Sequence, residues 1–255
     1  TEFADRWVVS GRGELHLAIL IEKMRREGYE LEVSRPQVIF KENDGKKMEP
    51  MELVSIEVPE SYSGAVIEML GKRFGVMKDM RVDKKNVYMD FAIPTRGLIG
   101  MRNEFLTATK GTGVMNSIFL GYEEYKGEMS SMNHGSIVAT EDGTTNNYGL
   151  VTAQGRGTLF LGPGVSVYKG MVVGENAKAG DIMVHVCRTR ELTNFRAKNE
   201  GLADQLETPL NLSLEDALDY IGDDELVEVT PKNARIRKLF LTENERRRAR
   251  SVEQK

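Results

Sequence analysis

The order of apolar patterns in the middle of the chain constrains the fold more than any other feature. "ELVSIEVP" (52–59) alternates apolar and polar residues and therefore predicts a strand. "VMKDMRV" (76–82) and "NVYMDFAIP" (86–94) predict two further strands, which the turn "DKKN" connects as a hairpin. "GTGVMNSIFLGYEEY" (111–125) ends the segment with a fourth strand.

Two amphipathic helices are interleaved with these strands. The apolar stripe of the first consists of Ala65, Val66, Met69, Leu70 and Phe74. The second is marked by Leu98, Met101, Arg102 and Phe105, with Thr95 as its predicted N-cap. The resulting order, βαββαβ, predicts a ferredoxin-like sandwich, which is a four-stranded antiparallel sheet with two helices on one face.

The segment before this unit has the pattern of half a domain. "WVVS" (7–10) predicts the end of a strand, and a helix follows whose face carries Leu17, Leu20, Ile21 and Met24. Gly28 is expected to end that helix, because glycine adopts the left-handed conformation readily. "YELEVS" and "QVIF" predict two short strands, and "KENDGKKMEP" (41–50) predicts a linker.

The segment after the central unit is punctuated by glycines between short runs of Val, Ile and Leu, which predicts a compact β-rich domain. "SLED" (213–216) and "TENE" (242–245) have the capping-box pattern of helix N-termini. Residues 191–211 show no sustained period and predict a long loop, which is usually functional or disordered.

We therefore predict an α+β chain of three parts. Residues 1–45 form a partial ferredoxin-like domain, residues 46–127 the complete ferredoxin-like fold, and residues 128–255 a β-rich domain with short helices and the loop 191–211. The chain begins with Thr1, and we interpret it as part of a longer protein.

Composition and motifs exclude several classes of protein. No apolar run approaches the ~18 residues that cross a bilayer, so no membrane contact is expected. The only cysteine, Cys187, excludes an internal disulfide and is typical of a reducing cytoplasm. No P-loop motif is present. His185 and Cys187 would share a strand face, yet no third ligand stands at a metal-site spacing, so core packing is favoured.

One glycine-containing motif leaves two interpretations open. "GRGELH" (11–16) is typical of a tight turn from a strand into a helix, but it lacks the third glycine of the dinucleotide-binding pattern. The helix N-terminal amides could also face a backbone phosphate.

Positive charge is concentrated at the end of an acidic chain. Residues 231–255 contain nine Lys and Arg against three Glu, a net charge of +6, whereas the other 230 residues have a net charge of −10. Guanidinium groups pair with phosphate oxygens, and a surface that neutralises several phosphates binds nucleic acid without reading its sequence. The predicted RNA-binding residues are Arg188, Arg190, Arg196, Lys198, Arg235, Arg237, Lys238, Arg246, Arg247, Arg248 and Arg250.

Several segments resemble a known family. "VSGRGELHLAILIEKMRREGYELEVSRPQVIFKE" resembles the second half of domain III of translational GTPases of the elongation factor G kind. "EVPESYSGAVIEMLGKRFG" and "IPTRGLIGMRNEFLTATKGTG" resemble their domain V. "GTTNNYGL", "GRGTLFLGPGVSVYKGMVVGE", "ELTNFRA", "DDELVEVTP" and "IRKLFLTENERRRA" resemble the TypA/BipA branch, the last four its distinctive C-terminal domain.

This resemblance implies a function for the intact protein. It would bind and hydrolyse GTP with Mg²⁺ through an N-terminal domain missing here, so this chain is expected to hold no cofactor and to have no catalysis of its own. It would bind rRNA at the factor site and A site of the ribosome, with the loop 191–211 along the acceptor arm of A-site tRNA. The family is tied to stress and cold adaptation and to assembly of the large subunit. We expect a cytoplasmic monomer.

Two other classes of function remain open from the residues alone. A ferredoxin-like sandwich also carries acylphosphatase chemistry, which requires an arginine in the loop after the first strand, and "PESYSG" contains none. Paired ferredoxin-like domains could instead bind a small regulatory ligand, which would leave the basic end unexplained.

Overall fold

A computed structural model describes residues 6–129, 135–189 and 206–253, except for the side chains of 250, 252 and 253. The helices in these ranges are α1 (Glu14–Arg26), α2 (Glu60–Lys72), α3 (Thr95–Leu98), α4 (Met101–Ala108), α5 (Asn147–Gln154), α6 (Leu214–Tyr220) and α7 (Glu243–Glu253). The strands are β1 (Leu31–Ser34), β2 (Lys41–Asn43), β3 (Lys46–Pro59), β4 (Val76–Asp83), β5 (Asn86–Pro94), β6 (Val114–Glu124), β7 (Gly135–Ala139), β8 (Gly143–Thr144), β9 (Gly157–Leu159), β10 (Ser166–Val167), β11 (Val172–Asn176), β12 (Ile182–Val184), β13 (Glu225–Val229) and β14 (Ala234–Lys238).

The chain divides into two compact units, which we call the sheet unit (36–131) and the terminal unit (1–35 with 132–255). The mixture of helices and antiparallel sheets confirms the predicted α+β class. The boundaries predicted at residues 45 and 127 differ from this division, because residues 1–35 cluster with the C-terminal part of the chain.

The sheet unit has the predicted βαββαβ order. Its strands lie in the order β6-β3-β5-β4, all antiparallel, with β2 added against the start of β3. Alternate residues of β3 and β5 point to the helices and form the core with α2 and α4; this face includes Val54, Ile56, Val58, Val87, Met89, Phe91 and Ile93. The turn between β4 and β5 contains Lys84 with a positive φ of 56°.

Three local predictions in the sheet unit are wrong. Residues 41–50 are not a linker, because Lys41–Asn43 pairs with Lys46–Met48 around a tight turn in which Asp44 and Gly45 both have positive φ. Thr95 is not an N-cap, since it is the first residue of α3, and α4 begins after Gly100 in the left-handed conformation. "QVIF" (37–40) has no strand.

The first 35 residues contribute to the terminal unit. Residues 7–10 form no strand, contrary to the sequence prediction. The predicted helix is present, but it buries Ala18 and Ile21 while Leu20 is exposed, because its contacts with α6 select a different face. As predicted, the chain leaves the helix at Gly28, which has the left-handed conformation with a φ of 94°, two residues after the end of α1. β1 pairs with β13, so an early strand joins a sheet with two late ones.

The C-terminal part of the terminal unit is β-rich, as predicted. β12, β7, β11 and β9 form one sheet, and β7 is paired in parallel with β12. Helix α5 was not predicted by the sequence analysis. Its N-cap is Asn146, whose side chain accepts a hydrogen bond from the amide of Gly149. The predicted loop 191–211 lies largely outside the described residues, and 206–211 have no regular structure.

Candidate nucleic-acid interface

Helix α7 is held at its start by the capping box that the sequence predicted. The Thr242 amide donates to Glu245 Oε2 at 3.0 Å, and the Glu245 amide donates to Thr242 Oγ1 at 3.3 Å. The Thr242 hydroxyl also donates to the Glu245 carboxylate, and these bonds lower the pKa of Glu245. The cap therefore fixes where the three consecutive arginines of this helix begin.

The three consecutive arginines of α7 differ in exposure. The side chain of Arg247 is 77% exposed, and its Nη2 lies 3.5 Å from Glu243 Oε1. A surface ion pair of this kind contributes little to stability. Arg248 is also exposed. Arg246 is buried, and its Nη1 donates to the carbonyls of Phe240 and Leu241 at 2.8 and 3.1 Å. Arg246 thus anchors α7 to the preceding segment. Its guanidinium group is used for these bonds and is not exposed to solvent.

Arg237 is held between two carboxylates within the terminal unit. Its Nη2 lies 2.7 Å from Glu32 of β1, and its Nε lies 3.2 Å from Glu228 of β13. Nη1 donates to the Lys238 carbonyl at 3.0 Å. With only 14% of its side chain exposed, Arg237 connects β1 to the other two strands rather than presenting a free guanidinium to RNA. Its predicted role in RNA binding stays a prediction.

Lys238 is the most enclosed of the predicted RNA contacts in the described chain. Its side chain is 3% exposed, and its Nζ lies 2.7 Å from Asp181, 2.9 Å from Glu225 and 3.2 Å from Asp224. Burial alone would lower the pKa of Lys238, but these carboxylates outweigh it, so its pKa is raised and the ammonium stays charged. Lys238 therefore neutralises buried acids in this structure. Its predicted contact with phosphate stays a prediction.

A polar network surrounds the same carboxylates. The Ser136 hydroxyl donates to Glu225 Oε1 at 2.6 Å, and the Gly222 amide donates to Glu225 Oε2 at 2.9 Å. The hydroxyl groups of Ser136 and Tyr220 are 3.0 Å apart, and burial raises the pKa of Tyr220. Strands β7, β13 and β14 are thus tied together by hydrogen bonds as well as by charge.

The remaining predicted residues fall into two groups. Arg188 is exposed, and Arg235 is half-buried opposite Glu228 on the neighbouring strand. Arg190, Arg196 and Lys198 lie outside the described residues, and the side chain of Arg250 is not described. Arg188, Arg247 and Arg248 are therefore the exposed arginines of the predicted set in the described ranges.

The buried pairs were missed because their carboxylates come from distant parts of the sequence. Arg237 and Glu32 are 205 residues apart along the chain. One local signal was available for Lys238, since strand alternation places it on the same face as the apolar Ile236. Both residues are buried, whereas their neighbours Arg235 and Arg237 on the other face are half-buried.

The His185–Cys187 pair is not on one strand face, because β12 ends at Val184 and a turn follows. His185 Nε2 instead lies 3.2 Å from Glu141, and burial raises the pKa of the Cys187 thiol. Across the described ranges, no group of three or more His, Cys, Asp or Glu residues could hold a metal ion. None of the helices described combines the length and apolar character needed to span a membrane.

Comparisons with known proteins cover almost the whole chain. Residues 46–132 match the family described as elongation factor G C-terminus, and residues 134–243 match the TypA/BipA C-terminal domain. The chain is 49% identical over 251 residues, 98% of its length, to proteins of Salmonella typhimurium and Escherichia coli (strain K12). It is 47% identical over 239 residues, 93% of its length, to a Synechocystis protein. All three relatives are named "Large ribosomal subunit assembly factor BipA".

The chain spans 41% of the length of the Salmonella and Escherichia coli relatives and 40% of the Synechocystis relative. The sheet unit has a ferredoxin-like fold, and residues 46–132 match the elongation factor G C-terminus. Together these two findings indicate the elongation factor G class. The second match, which begins just after that unit, is to the TypA/BipA C-terminal domain. The chain belongs to the TypA/BipA family, which confirms the resemblance seen in its sequence.

Proposed function

We propose that this chain is the ribosome- and tRNA-binding portion of a translational GTPase of the TypA/BipA type that acts in assembly of the large ribosomal subunit. The names and identity of its relatives support this proposal. GTP and Mg²⁺ would be used by a part of the protein outside these residues, and the chain itself would bind rather than catalyse. The resemblance further supports action on cytoplasmic ribosomes during stress and cold adaptation.

The observation that carries the proposed RNA contact is the exposure of two adjacent arginines on a firmly capped helix. Arg247 and Arg248 project into solvent from α7, whose start is fixed by Thr242 and by the buried Arg246. Because the helix is anchored by other residues and the surface ion pair of Arg247 with Glu243 is weak, both guanidinium groups are available to phosphate oxygens. Arg188 is a third exposed arginine of the same unit, just before the segment 190–205.

The proposed contact is smaller than the sequence count of charges implies. Arg237, Lys238 and Arg246 are occupied by carboxylates or carbonyls, so they add little attraction for a polyanion. The proposed surface consists of Arg188, Arg247 and Arg248, with the half-buried Arg235, with Arg190 and Arg250, and with the loop residues Arg196 and Lys198. The acceptor arm of A-site tRNA is the proposed partner of the loop.

Reversing the charge of the exposed arginines is expected to weaken binding to large ribosomal subunits. In a chain with Arg188, Arg247 and Arg248 changed to Glu, up to three phosphate contacts are lost. The slope of log affinity against log salt concentration should become shallower by about 2 to 3, because each lost contact releases roughly one counterion fewer. Co-sedimentation of the chain with purified large subunits across a salt series measures both the affinity and the slope.

A matched variant separates local contact from overall charge. Lys78, Lys84 and Lys85 are exposed on the β4–β5 hairpin of the sheet unit, and their change to Glu alters the net charge by the same amount. An equal loss of affinity in both triple variants would assign the attraction to net charge alone. Unchanged pelleting of the arginine variant would remove these three residues from the interface.

A further inference from the structure

An exposed aromatic side chain stands just before the arginine-bearing helix of the terminal unit. Phe240 is 40% exposed and lies in the short segment between β14 and α7, two residues before the cap residue Thr242. Within the described ranges, no other aromatic ring and no cation is stacked on the ring of Phe240. The face of this ring is therefore available to a ligand.

The backbone around Phe240 is held on both sides. The Leu239 amide donates to the carbonyl of the residue just before β13 at 2.8 Å, and the Phe240 carbonyl accepts from Arg246 Nη1 at 2.8 Å. The next residue, Leu241, lies so close to Gly170 that a Cβ on Gly170 would stand 2.8 Å from the Leu241 Cα. Because this segment is already ordered, a ligand that stacked on the ring would restrict the chain little further.

An exposed guanidinium group lies at the same end of α7. Side chains of a helix point back toward its N-terminus. Arg247 shows this directly, because its Nη2 lies 3.5 Å from Glu243 Oε1 in the preceding turn. Glu243 is the first residue of α7 and comes three residues after Phe240. An available aromatic ring and an available cation are thus both presented at the beginning of this helix.

This combination fits one class of ligand. A nucleotide carries a flat aromatic base and an anionic phosphate, so a ring and a nearby guanidinium group can bind both parts. The bases of a duplex are stacked on each other, whereas unpaired bases can turn outward and stack on a protein ring. The arrangement therefore favours unpaired RNA over duplex RNA.

We propose that Phe240 stacks on the base of an unpaired RNA nucleotide whose phosphate group pairs with Arg247. This inference rests on the RNA-binding function proposed above and deepens it, since arginines alone would bind any phosphate backbone. The ring adds a preference for unpaired nucleotides without reading their identity, because every base has an aromatic face. Arg246 is a positioning residue for this site, as it holds the Phe240 carbonyl against α7.

Binding of the full chain to a short RNA, used as a single strand and annealed to its complement, tests the stacking contact. Phe240→Leu should weaken binding of the single strand by roughly fivefold or more, which is the usual contribution of one stacked base. Its affinity for the duplex and the slope of log affinity against log salt concentration should stay unchanged, because leucine removes a ring and no charge. Phe240→Tyr keeps the ring and should bind as the wild type does.

A matched control is available in the same unit. Tyr148 of α5 is 41% exposed, almost the same as Phe240, so Tyr148→Leu removes a comparable aromatic side chain away from α7. This variant should keep the wild-type affinity for the single strand. Equal losses in Tyr148→Leu and Phe240→Leu, or wild-type affinity in Phe240→Leu, would overturn the contact.

A fluorescence signature tests the same contact without loss of an aromatic ring at the site. The chain contains one tryptophan, Trp7, so Phe240→Trp combined with Trp7→Phe places the only indole at the proposed site. The single strand should quench its fluorescence by stacking, and the duplex should not. Fluorescence that stays the same while the single strand is bound would overturn the contact.

The outcomes also separate this contact from the proposed function. If the triple arginine variant loses affinity for the single strand and Phe240→Leu does not, the arginine surface stands and the stacking is overturned. If the wild-type chain binds neither the single strand nor large subunits, both proposals fail. If Phe240→Leu binds the single strand normally but pellets less with large subunits, the ring contacts a ribosomal protein and the assignment to a base is wrong.

Discussion

Lys238→Ala is expected to destabilise the terminal unit by about 3 kcal/mol, because it leaves buried carboxylates without their counter-charge. The side chain of Glu225 is 4% exposed and that of Asp181 is 19% exposed, so water can replace the ammonium only in part. Asp224 is half-exposed and can regain solvent, which keeps the effect at the lower end of the usual range. Urea unfolding followed by circular dichroism measures the change.

Two further variants show whether the effect comes from charge burial. Lys232→Ala removes an exposed lysine just before β14 and should change the free energy of unfolding by less than about 0.5 kcal/mol. Lys238→Met combined with Glu225→Gln removes opposite charges together and should recover much of the lost stability. If Lys238→Ala left the free energy of unfolding unchanged but weakened RNA binding, the result would instead support the predicted contact of Lys238 with RNA phosphate.

The contribution of Lys238 also has a defined pH dependence. Its pKa is raised in the folded chain, so its charged form is favoured by folding and stabilises the protein below the ordinary lysine value of 10.5. That stabilisation is lost as the pH rises through the folded pKa. The difference in unfolding free energy between the wild type and Lys238→Ala should therefore stay constant near neutral pH and shrink only in strong alkali.

Gly157→Ala is expected to destabilise the terminal unit by about 3 kcal/mol through overpacking against backbone atoms. Gly157 opens β9 and pairs with Asn176 of β11. A Cβ at this position would overlap the carbonyl oxygen of Glu175 and lie 2.9 Å from the amide nitrogen of Ala177. Neither backbone atom can move without disturbing the β9–β11 pairing, so the clash cannot be relieved by a side-chain rotation.

Gly155→Ala, two residues earlier, should have the opposite sign. Gly155 ends α5 with helical backbone angles, and a Cβ there would approach only the Thr152 carbonyl, at 3.9 Å. Alanine reduces the entropy of the unfolded chain, so a gain of about 0.4–1 kcal/mol is expected. Thermal unfolding of both variants measures the contrast, and equal destabilisation by the two substitutions would contradict the close approach assigned to Gly157.

The glycines of the terminal unit illustrate a limit of sequence interpretation. Their spacing correctly predicted a β-rich domain, but it placed the glycines between the apolar runs. Gly157 and Gly174 lie inside strands, and added Cβ atoms there would meet the backbone of neighbouring strands. A single sequence does not show which glycine allows a turn and which allows two strands to approach, because the second property depends on a partner elsewhere in the chain.

The sequence by itself determined the features that depend on neighbouring residues. The βαββαβ order followed from apolar periods of 2 and 3.6, and both capping boxes followed from side chains three residues apart. Family membership was also readable, since the matching segments are continuous stretches of sequence. Each of these features depends on residues that lie close together along the chain.

Only the tertiary structure decided which charges remain free. Nine cations near the C-terminus predicted one basic surface, yet Arg237 pairs with Glu32 across 205 residues and Lys238 with Asp181, the residue just before β12. Charge interactions depend on distance in space and on burial, and both are set by chain segments that lie far apart in sequence. The number of arginines was therefore fixed by the sequence, whereas their availability to an RNA phosphate was fixed by folding.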